Sequence, residues 1–310
     1  MAKQNESLSE SGYHTTVLLE EAVDALRVVP DGVYVDCTLG GGGHSRKILE
    51  KLGTNGSLYV FDQDEDAEKN LPKDKRIHFI RQNFRHIQRF LRLQKMVSVD
   101  GILADLGVSS HQFDEAERGF STRFDADLDM RMDRRNDFTA AKLVNTYSAE
   151  KLQAIFEKFG EVTNSKSLAL AIVQKREITT FKTVAGFKQS VQELVKGNPN
   201  KYFAQVFQAL RMEVNDETGA LKDLLVQAEQ MLKPGGRMAV ISFHSIEDRM
   251  VKQFFKTGSE ASKEDLRDLF GNIKSSPWNQ ITKKPIVPSE NEIKNNPRSR
   301  SAKLRVAEKR

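Results

Sequence analysis

The chain has 310 residues, of which 38% are hydrophobic and 29% are charged, a balance typical of a globular protein with a substantial core. No apolar run approaches the ~18 residues that a membrane span needs, and residues 1–7 lack the apolar centre of an export signal. Cys37 is the single cysteine, which excludes an internal disulfide and predicts a cytoplasmic location.

The first segments of the chain are a polar start and a helix. Residues 1–12 are predicted to be disordered. His14 to Val29 carries apolar residues spaced for one helical face, and Pro30 to Gly32 ends that helix.

The next segment, Val33 to Leu52, reads as a strand, a glycine turn and an amphipathic helix. Glycines let backbone approach a ligand closely. Asp36 directly before the turn would repel phosphate, Ser45 replaces the third glycine of a dinucleotide loop, and no P-loop lysine follows. The pattern favours S-adenosylmethionine, which is cationic and free of phosphate. The alternative is a tight turn without a ligand.

Two further strands add candidate ligand contacts. Strand two, Gly56 to Asp62, places Asp62 about 20 residues after the glycines, where an acid accepts hydrogen bonds from ribose hydroxyls. A role in capping the following helix is the alternative. Ile77 to Ile80 is strand three, and Phe84 after it is predicted either to cover an adenine or to belong to the core.

The fourth strand, Val97 to Leu103, follows a helix over Arg85 to Gln94 and leads to Asp105. Ligands of open α/β sheets bind beyond the carboxyl ends of the strands. Asp36, Asp62 and Asp105 all follow such ends, so they are predicted to converge on one crevice with a cationic or hydroxyl-rich ligand.

The strand–helix alternation stops after Gln112. Residues 113–205 are predicted to form an all-helical insertion in a discontinuous Rossmann-like α/β sheet domain, which comprises residues 1–112 and 206–310. The helices predicted in the insertion are Ala149–Phe159, Ser165–Lys175 and Val184–Val195.

The chain is then predicted to return to the sheet. Expected in order are helices over Tyr202–Val214 and Thr218–Leu232, a turn at Lys233–Gly236, strand five over Arg237–His244 and a helix from Ser245. Lys283–Val287 and Ala302–Glu308 are predicted as the last two strands, an antiparallel pair at one edge.

Several motifs spread over this frame resemble the bacterial small-subunit rRNA cytosine-N4 methyltransferases. The matching segments are 42–45, 105–110, 117–121, 128–133, 207–211 with 214–215, 233–237, 241–245 with 247–249, and 296–305. Thr16, His111 and the pair Ala126-Asp127 depart from the family pattern, in which proline is usual at 16 and 111 and Gly-Pro at 126–127.

The resemblance implies a sheet domain that binds S-adenosylmethionine. It places the cofactor on Gly42, Gly43, His44, Asp62, Phe84, Asp105 and Gln112, to which the residue pattern adds Asp36. The implied substrate is the N4 amine of a cytidine in the decoding region of 16S rRNA, within the small ribosomal subunit. A monomer or a homodimer is expected, without membrane contact.

Methyl transfer mainly requires alignment of the reacting atoms. Asp105, or the carbonyls of Leu106 and Gly107, is predicted to accept a hydrogen bond from N4, and His244 is a second catalytic candidate. The base is predicted to stack on Phe120, Phe124 or Trp278. The six histidines show no metal-binding spacing, so no metal is expected.

The remaining predictions concern nucleic acid. Residues 272–310 contain ten Lys/Arg and three Asp/Glu, a charge of +7, which leaves −2 for the rest of a chain whose net charge is +5. This segment is either an RNA footprint or a solvated tail. The arginines predicted to contact phosphate are Arg118, Arg123, Arg131 and Arg135.

Two other functions are consistent with parts of the sequence. A DNA amino-methyltransferase would usually carry Asp/Asn-Pro-Pro-aromatic where this chain has Asp105 to Val108. A ribosome-assembly factor without catalysis would not need the acidic residues around the glycine turn.

Overall fold

The computed structural model describes residues 16–259 and 275–310. Seven strands within them form one sheet: β1 (Val33–Asp36), β2 (Ser57–Phe61), β3 (Ile77–Ile80), β4 (Val99–Asp105), β5 (Leu232–Ser242), β6 (Trp278–Gln280) and β7 (Lys303–Lys309). Their order is β3-β2-β1-β4-β5-β7-β6. Strands β1 to β5 pair in parallel with one another, whereas β7 is antiparallel to both β5 and β6. The chain is therefore an α/β protein, as predicted.

The described residues also contain twelve α-helices. They are α1 (Leu19–Leu26), α2 (Gly43–Lys51), α3 (Ile87–Leu93), α4 (Ser110–Asp114), α5 (Ala140–Thr146), α6 (Ala149–Gly160), α7 (Ser165–Arg176), α8 (Val184–Ser190), α9 (Pro199–Val214), α10 (Glu217–Met231), α11 (Ser245–Thr257) and α12 (Glu290–Asn295). None of them is long and apolar enough to cross a membrane.

The parallel part of the sheet is covered on both faces. Along β4, Ile102 and Ala104 belong to one core cluster, while Leu103 between them belongs to a second cluster. Side chains alternate across a strand, so two clusters separated in this way lie on opposite faces. Burial on both faces explains the continuous apolar runs of β1, β2 and β4.

A third core lies in the helical body between β4 and α10. It is built from apolar residues between Phe120 and Val214, including buried faces of α5 to α9. Tyr202, Phe203 and Val206 of α9 pack into this core. The predicted division between residues 205 and 206 therefore falls inside α9.

Strand β5 begins with a bulge. Leu232 pairs with Val99 and Arg237 pairs with Gly101, so residues 233–236 are accommodated opposite Asp100 alone. Gly235 has a φ of 79°, and Lys233 Nζ lies 2.8 Å from both carboxylate oxygens of Asp100. The predicted turn at Lys233–Gly236 is this bulge within the strand.

Some predicted elements differ from the structure. Lys283–Val287 is not a strand, because only Ile286 forms a bridge, with Leu304; the edge strand is Trp278–Gln280. The first helix begins at Leu19, whereas residues 1–12 and His14 lie outside the described residues. Helices α4 and α5 were not predicted.

Candidate active site

The candidate site lies where β1, β2 and β4 end. Gly40 and Gly42, with φ angles of 47° and 75°, turn the chain from β1 into α2. Asp105 N donates to Thr38 Oγ1 at 2.7 Å, and Leu39 N donates to Phe61 O at 3.0 Å. These bonds attach the turn to both neighbouring strands, and we call the region where the three strand ends meet the crevice.

Asp36 lies at the base of this crevice and is completely buried. Its Oδ2 accepts from Ser45 Oγ at 2.6 Å and its Oδ1 accepts from Thr38 N at 3.0 Å. Burial raises the pKa of Asp36 to about 7, and the Asp62 carboxylate adds to the rise. Since Asp36 has no exposed surface, it would act on a ligand only through its charge and through the turn that it holds.

Asp62 supports the glycine turn from β2. Its Oδ2 accepts from Gly40 N at 2.9 Å and its Oδ1 accepts from Asp64 N at 2.9 Å. Burial raises its pKa to about 6. Each carboxylate oxygen has a second lone pair, so Asp62 retains the capacity to accept from ligand hydroxyls.

Asp105 and His44 face each other at the end of β4, with His44 Nδ1 3.9 Å from Asp105 Oδ2. Burial, reinforced by the charges of Asp36 and Glu247, raises the pKa of Asp105 well above its ordinary value. Burial lowers the pKa of His44 to about 4, so the ring is neutral near pH 7. The pair is therefore not a salt bridge at neutral pH, and the crevice keeps an excess of acidic groups.

The glycines of the turn differ in the space around them. A Cβ at Gly41 would meet no heavy atom within 4 Å, and one at Gly40 would reach only Ser109 Cβ at 3.9 Å. A Cβ at Gly43 would lie 1.8 Å from Thr16 Oγ1. Gly40 and Gly41 thus face open space, whereas Gly43 is required by packing against the segment before α1.

Phe84 and Gln112 were also predicted to bind the cofactor. Phe84 is half-buried against the core cluster that contains Ile87 and keeps part of its ring accessible. Gln112 is buried, and its amide is already engaged: Oε1 accepts from Ser109 N at 3.0 Å, and Nε2 donates to Asp64 Oδ2 at 2.6 Å.

His244 lies at the end of β5 and caps α11. Its Nδ1 accepts from Glu247 N at 3.4 Å, and its Nε2 lies 3.2 Å from Glu247 Oε1 without hydrogen-bonding geometry. An imidazole whose Nδ1 accepts a hydrogen bond carries its hydrogen on Nε2, so His244 can donate from Nε2 while it caps α11.

Buried polar atoms without a partner concentrate at this crevice. Six such side-chain atoms occur in the described residues, and four of them lie at or beside the ends of β4 and β5: His44 Nε2, Asp105 Oδ1, Ser242 Oγ and His244 Nε2. An unpaired buried polar atom is costly, so such atoms are usually paired with water or a ligand. The crevice has the chemistry to hold a cationic molecule that bears hydroxyl and amino groups.

A buried ion pair beside the crevice was not predicted from the sequence. Arg118 is 2% exposed; its Nη1 lies 2.8 Å from Asp64 Oδ2, and its Nη2 donates to the carbonyls of Arg131 and Met132. The prediction that Arg118 contacts phosphate is therefore wrong. The one local sequence pattern in this region was the Ser109-x-x-Gln112 capping box, which is typical of the start of a helix.

The three aromatic candidates for base stacking also differ in exposure. Phe120 is 4% exposed and Trp278 is 1% exposed, and both belong to core clusters. Phe124 is 42% exposed. Of the three, only Phe124 offers a ring to solvent.

Comparison with solved structures matches this chain, at low identity, to several methyltransferases. A putative rRNA-methylase from Clostridium thermocellum is 12% identical with a TM-score of 0.45, over 96% of this chain and 100% of that chain. A putative methyltransferase from Streptococcus mutans in complex with SAH is 12% identical with a TM-score of 0.40, over 96% and 99%. The fold assignment itself rests on the strand order given above.

Sequence relatives are much closer. Proteins named ribosomal RNA small subunit methyltransferase H from Bacteroides fragilis and Bacteroides thetaiotaomicron are both 53% identical over 302 residues, covering 97% of this chain and 99% of each relative. The protein of the same name from Flavobacterium johnsoniae is 52% identical over 298 residues, covering 96% and 98%. A family model described as the MraW methylase family matches residues 11–310. By this match and these identities, the chain belongs to the MraW methylase family.

Proposed function

We propose that this protein transfers a methyl group from S-adenosylmethionine to the N4 amine of a cytidine in the decoding region of 16S rRNA. The observation that carries the proposal is the crevice of Asp36, Asp62 and Asp105 around an open glycine turn, in a chain of this family. The assembled small subunit is the proposed substrate, and the cytoplasm is the proposed location.

The residues present fit this cofactor. His44 Nε2 and Asp105 Oδ1 are buried without partners, and the space above Gly40 and Gly41 is open. Asp62 would accept from the ribose hydroxyls, the half-buried ring of Phe84 would lie against the adenine, and Asp36 and Asp105 would balance the positive charge. When bound, the cofactor supplies an electrophilic methyl group on a sulfonium.

The remaining task of the protein is to orient the cytosine amine. The N4 lone pair is delocalised into the ring, and an acceptor on an N4–H helps to localise it. Asp105 is at the end of β4, where its carboxylate can accept that hydrogen bond. A role of His244 in catalysis stays a prediction. While His244 caps α11, it could donate a hydrogen bond from Nε2 to the cytosine.

Methyl transfer from labelled S-adenosylmethionine tests the activity. Small subunits from cells lacking this protein should accept label, and naked DNA should not. Mass mapping of the rRNA should find the methyl group on a cytidine N4. Label on DNA would support the DNA amino-methyltransferase instead, and subunit binding without label would support an assembly factor.

Asp105→Asn tests the site separately. We expect turnover to fall by about 100-fold or more, because Asn offers one neutral acceptor in place of a carboxylate. Full turnover with unchanged cofactor affinity would contradict both proposed roles of Asp105, which are to balance the cofactor charge and to accept a hydrogen bond from N4.

A further inference from the structure

Arg298 meets the segment from Asp114 to Phe124 beside the crevice, where two arginines and an aromatic ring are exposed. Arg298 donates from Nη2 to Asp114 Oδ1 at 2.5 Å and from Nη1 to Asp114 Oδ2 at 3.1 Å. Arg123 Nη2 lies 3.5 Å from the same carboxylate, and the Arg123 guanidinium lies 5.5 Å from the centre of the Phe124 ring. We call Arg123, Phe124 and Arg298 the mouth patch.

The mouth patch lies close to the glycine turn. Gly40 faces Ser109, whose side chain caps α4, and Asp114 is the last residue of α4. Five helical residues span about 7 Å, which corresponds to two stacked nucleotides at about 3.4 Å each. A strand with its target base in the crevice would therefore pass this patch.

The loop that carries the patch is fixed by hydrogen bonds to the helical body. Lys188 Nζ donates to Thr122 O at 2.7 Å, Ala185 N donates to Asp125 Oδ1 at 3.0 Å, and Val184 N donates to Ala126 O at 2.9 Å. Phe124 is thus displayed on an anchored loop, so little ordering entropy would be lost on binding.

The charges and the ring together identify one class of ligand. Two exposed arginines converge on one carboxylate beside an exposed aromatic face. Backbone phosphates pair with guanidinium groups, and bases stack on aromatic rings regardless of sequence. We propose that the mouth patch binds single-stranded RNA next to the target cytidine, with Phe124 stacking on a flanking base. This inference rests on the proposed function.

The test compares substitutions at Phe124 in the full-length protein. The probe is a fluorescein-labelled 12-nucleotide oligocytidylate, and fluorescence anisotropy gives its dissociation constant. Phe124→Ala should weaken binding by about 5- to 150-fold, whereas Phe124→Trp should bind at least as tightly as the wild type. Ile178→Ala is the matched control. Ile178 is another apolar side chain of the helical body, it is 86% exposed, and it has no ring on which a base could stack.

Arg123→Gln tests the electrostatic part. Removing one phosphate contact should reduce the slope of log affinity against log salt by about 0.7 for a single strand. Equal binding by wild type and Phe124→Ala, or equal losses in Phe124→Ala and Ile178→Ala, would overturn the inference. If Phe124→Ala fails to fold, the dissociation constants of Phe124→Leu and Phe124→Trp test the inference instead. Both variants keep an apolar side chain, but only Trp can stack on a base, so equal binding by the two would overturn the inference.

Methylation of small subunits separates this inference from the proposed function. If the wild type methylates and Phe124→Ala does so with unchanged KM, the patch is not the RNA contact although the enzyme is what we propose. If the wild type transfers no methyl group, the proposed function itself fails.

Discussion

Asp36 is a fully buried acid at the base of the proposed site for a cation. Its two oxygens are held by Ser45 and Thr38, so the carboxylate cannot turn toward solvent. Burial therefore favours the protonated form in the free protein and raises the pKa of Asp36 to about 7, above that of Asp62 at about 6.

The affinity for S-adenosylmethionine should consequently depend on pH. The cation binds best when Asp36 is ionised, so affinity should rise as pH increases through about 7 and protons should be released on binding near that pH. Titration calorimetry in buffers of different ionisation enthalpy measures both effects. In Asp36→Asn the rise should move to about pH 6, where Asp62 titrates; an unshifted rise would show that Asp36 does not contribute.

The buried ion pair between Arg118 and Asp64 is a second feature that depends on individual side chains. Both side chains are buried, and Asp64 N also donates to the carboxylate of Asp62. Arg118→Met should destabilise the protein by about 3–5 kcal/mol, because Asp64 would remain as a buried unpaired charge.

Urea denaturation of Arg118→Met, Asp64→Asn and the double variant tests this coupling. The double variant should lose less stability than the sum of the single variants, since the second substitution removes a charge that is already unpaired. Additive losses would show that the two side chains contribute independently.

At the scale of elements, glycines serve different purposes in the turn after β1 and in the bulge of β5. Gly41 has open space where a Cβ would be and no left-handed φ, whereas Gly235 has equally open space but a φ of 79°. Substitutions at these two positions therefore test the proposed ligand contact and the backbone conformation separately.

Gly41→Ala and Gly235→Ala form a matched pair. Gly41→Ala should keep its unfolding free energy but lose about tenfold or more in cofactor affinity, because the methyl group enters the ligand space. Gly235→Ala should lose about 1–2 kcal/mol of stability with unchanged affinity. Denaturation measures the unfolding free energy of both variants, and calorimetry measures their cofactor affinity. A loss of stability in Gly41→Ala together with a loss of affinity in Gly235→Ala would contradict this assignment.

The parallel strands were predictable because burial on both faces forces continuous apolar runs that end in polar residues. Trp278–Gln280 is too short for such a run, and its pairing with β7 depends on tertiary contact alone. Lys283–Val287 has a more strand-like composition, yet only Ile286 reaches β7.

The acids of the site were predictable from their position after strand ends, but their partners were not. Arg118 and Asp64 are 54 residues apart and meet only because the helical body folds back on the sheet. Likewise, no local pattern distinguishes exposed Phe124 from buried Phe120, since the difference arises from packing in the helical body.

At the scale of the whole molecule, the helical body and the sheet are joined by polar contacts. Gln63 Nε2, just after β2, donates to Met132 Sδ at 3.2 Å, and Arg118 Nη1 donates to Asp64 Oδ1 at 3.1 Å. The segment that carries Arg123 and Phe124 is therefore linked to the residues around Asp62. This arrangement would place the proposed RNA and cofactor contacts in one connected structure.

Basic residues near the C-terminus give the molecule its charge asymmetry. Lys283 and Lys284 are exposed after β6 at one edge of the sheet, and Lys73 and Lys75 are exposed before β3 at the opposite edge. If the basic edge contacts phosphate, replacing Lys283 and Lys284 by Gln should reduce the salt slope of subunit binding by up to about 0.7–0.9 per lysine. Replacing Lys73 and Lys75 by Gln changes the net charge equally but should leave the slope unchanged. Binding assays at several salt concentrations measure both slopes, and equal reductions would mean that net charge acts at long range rather than through contacts at this edge.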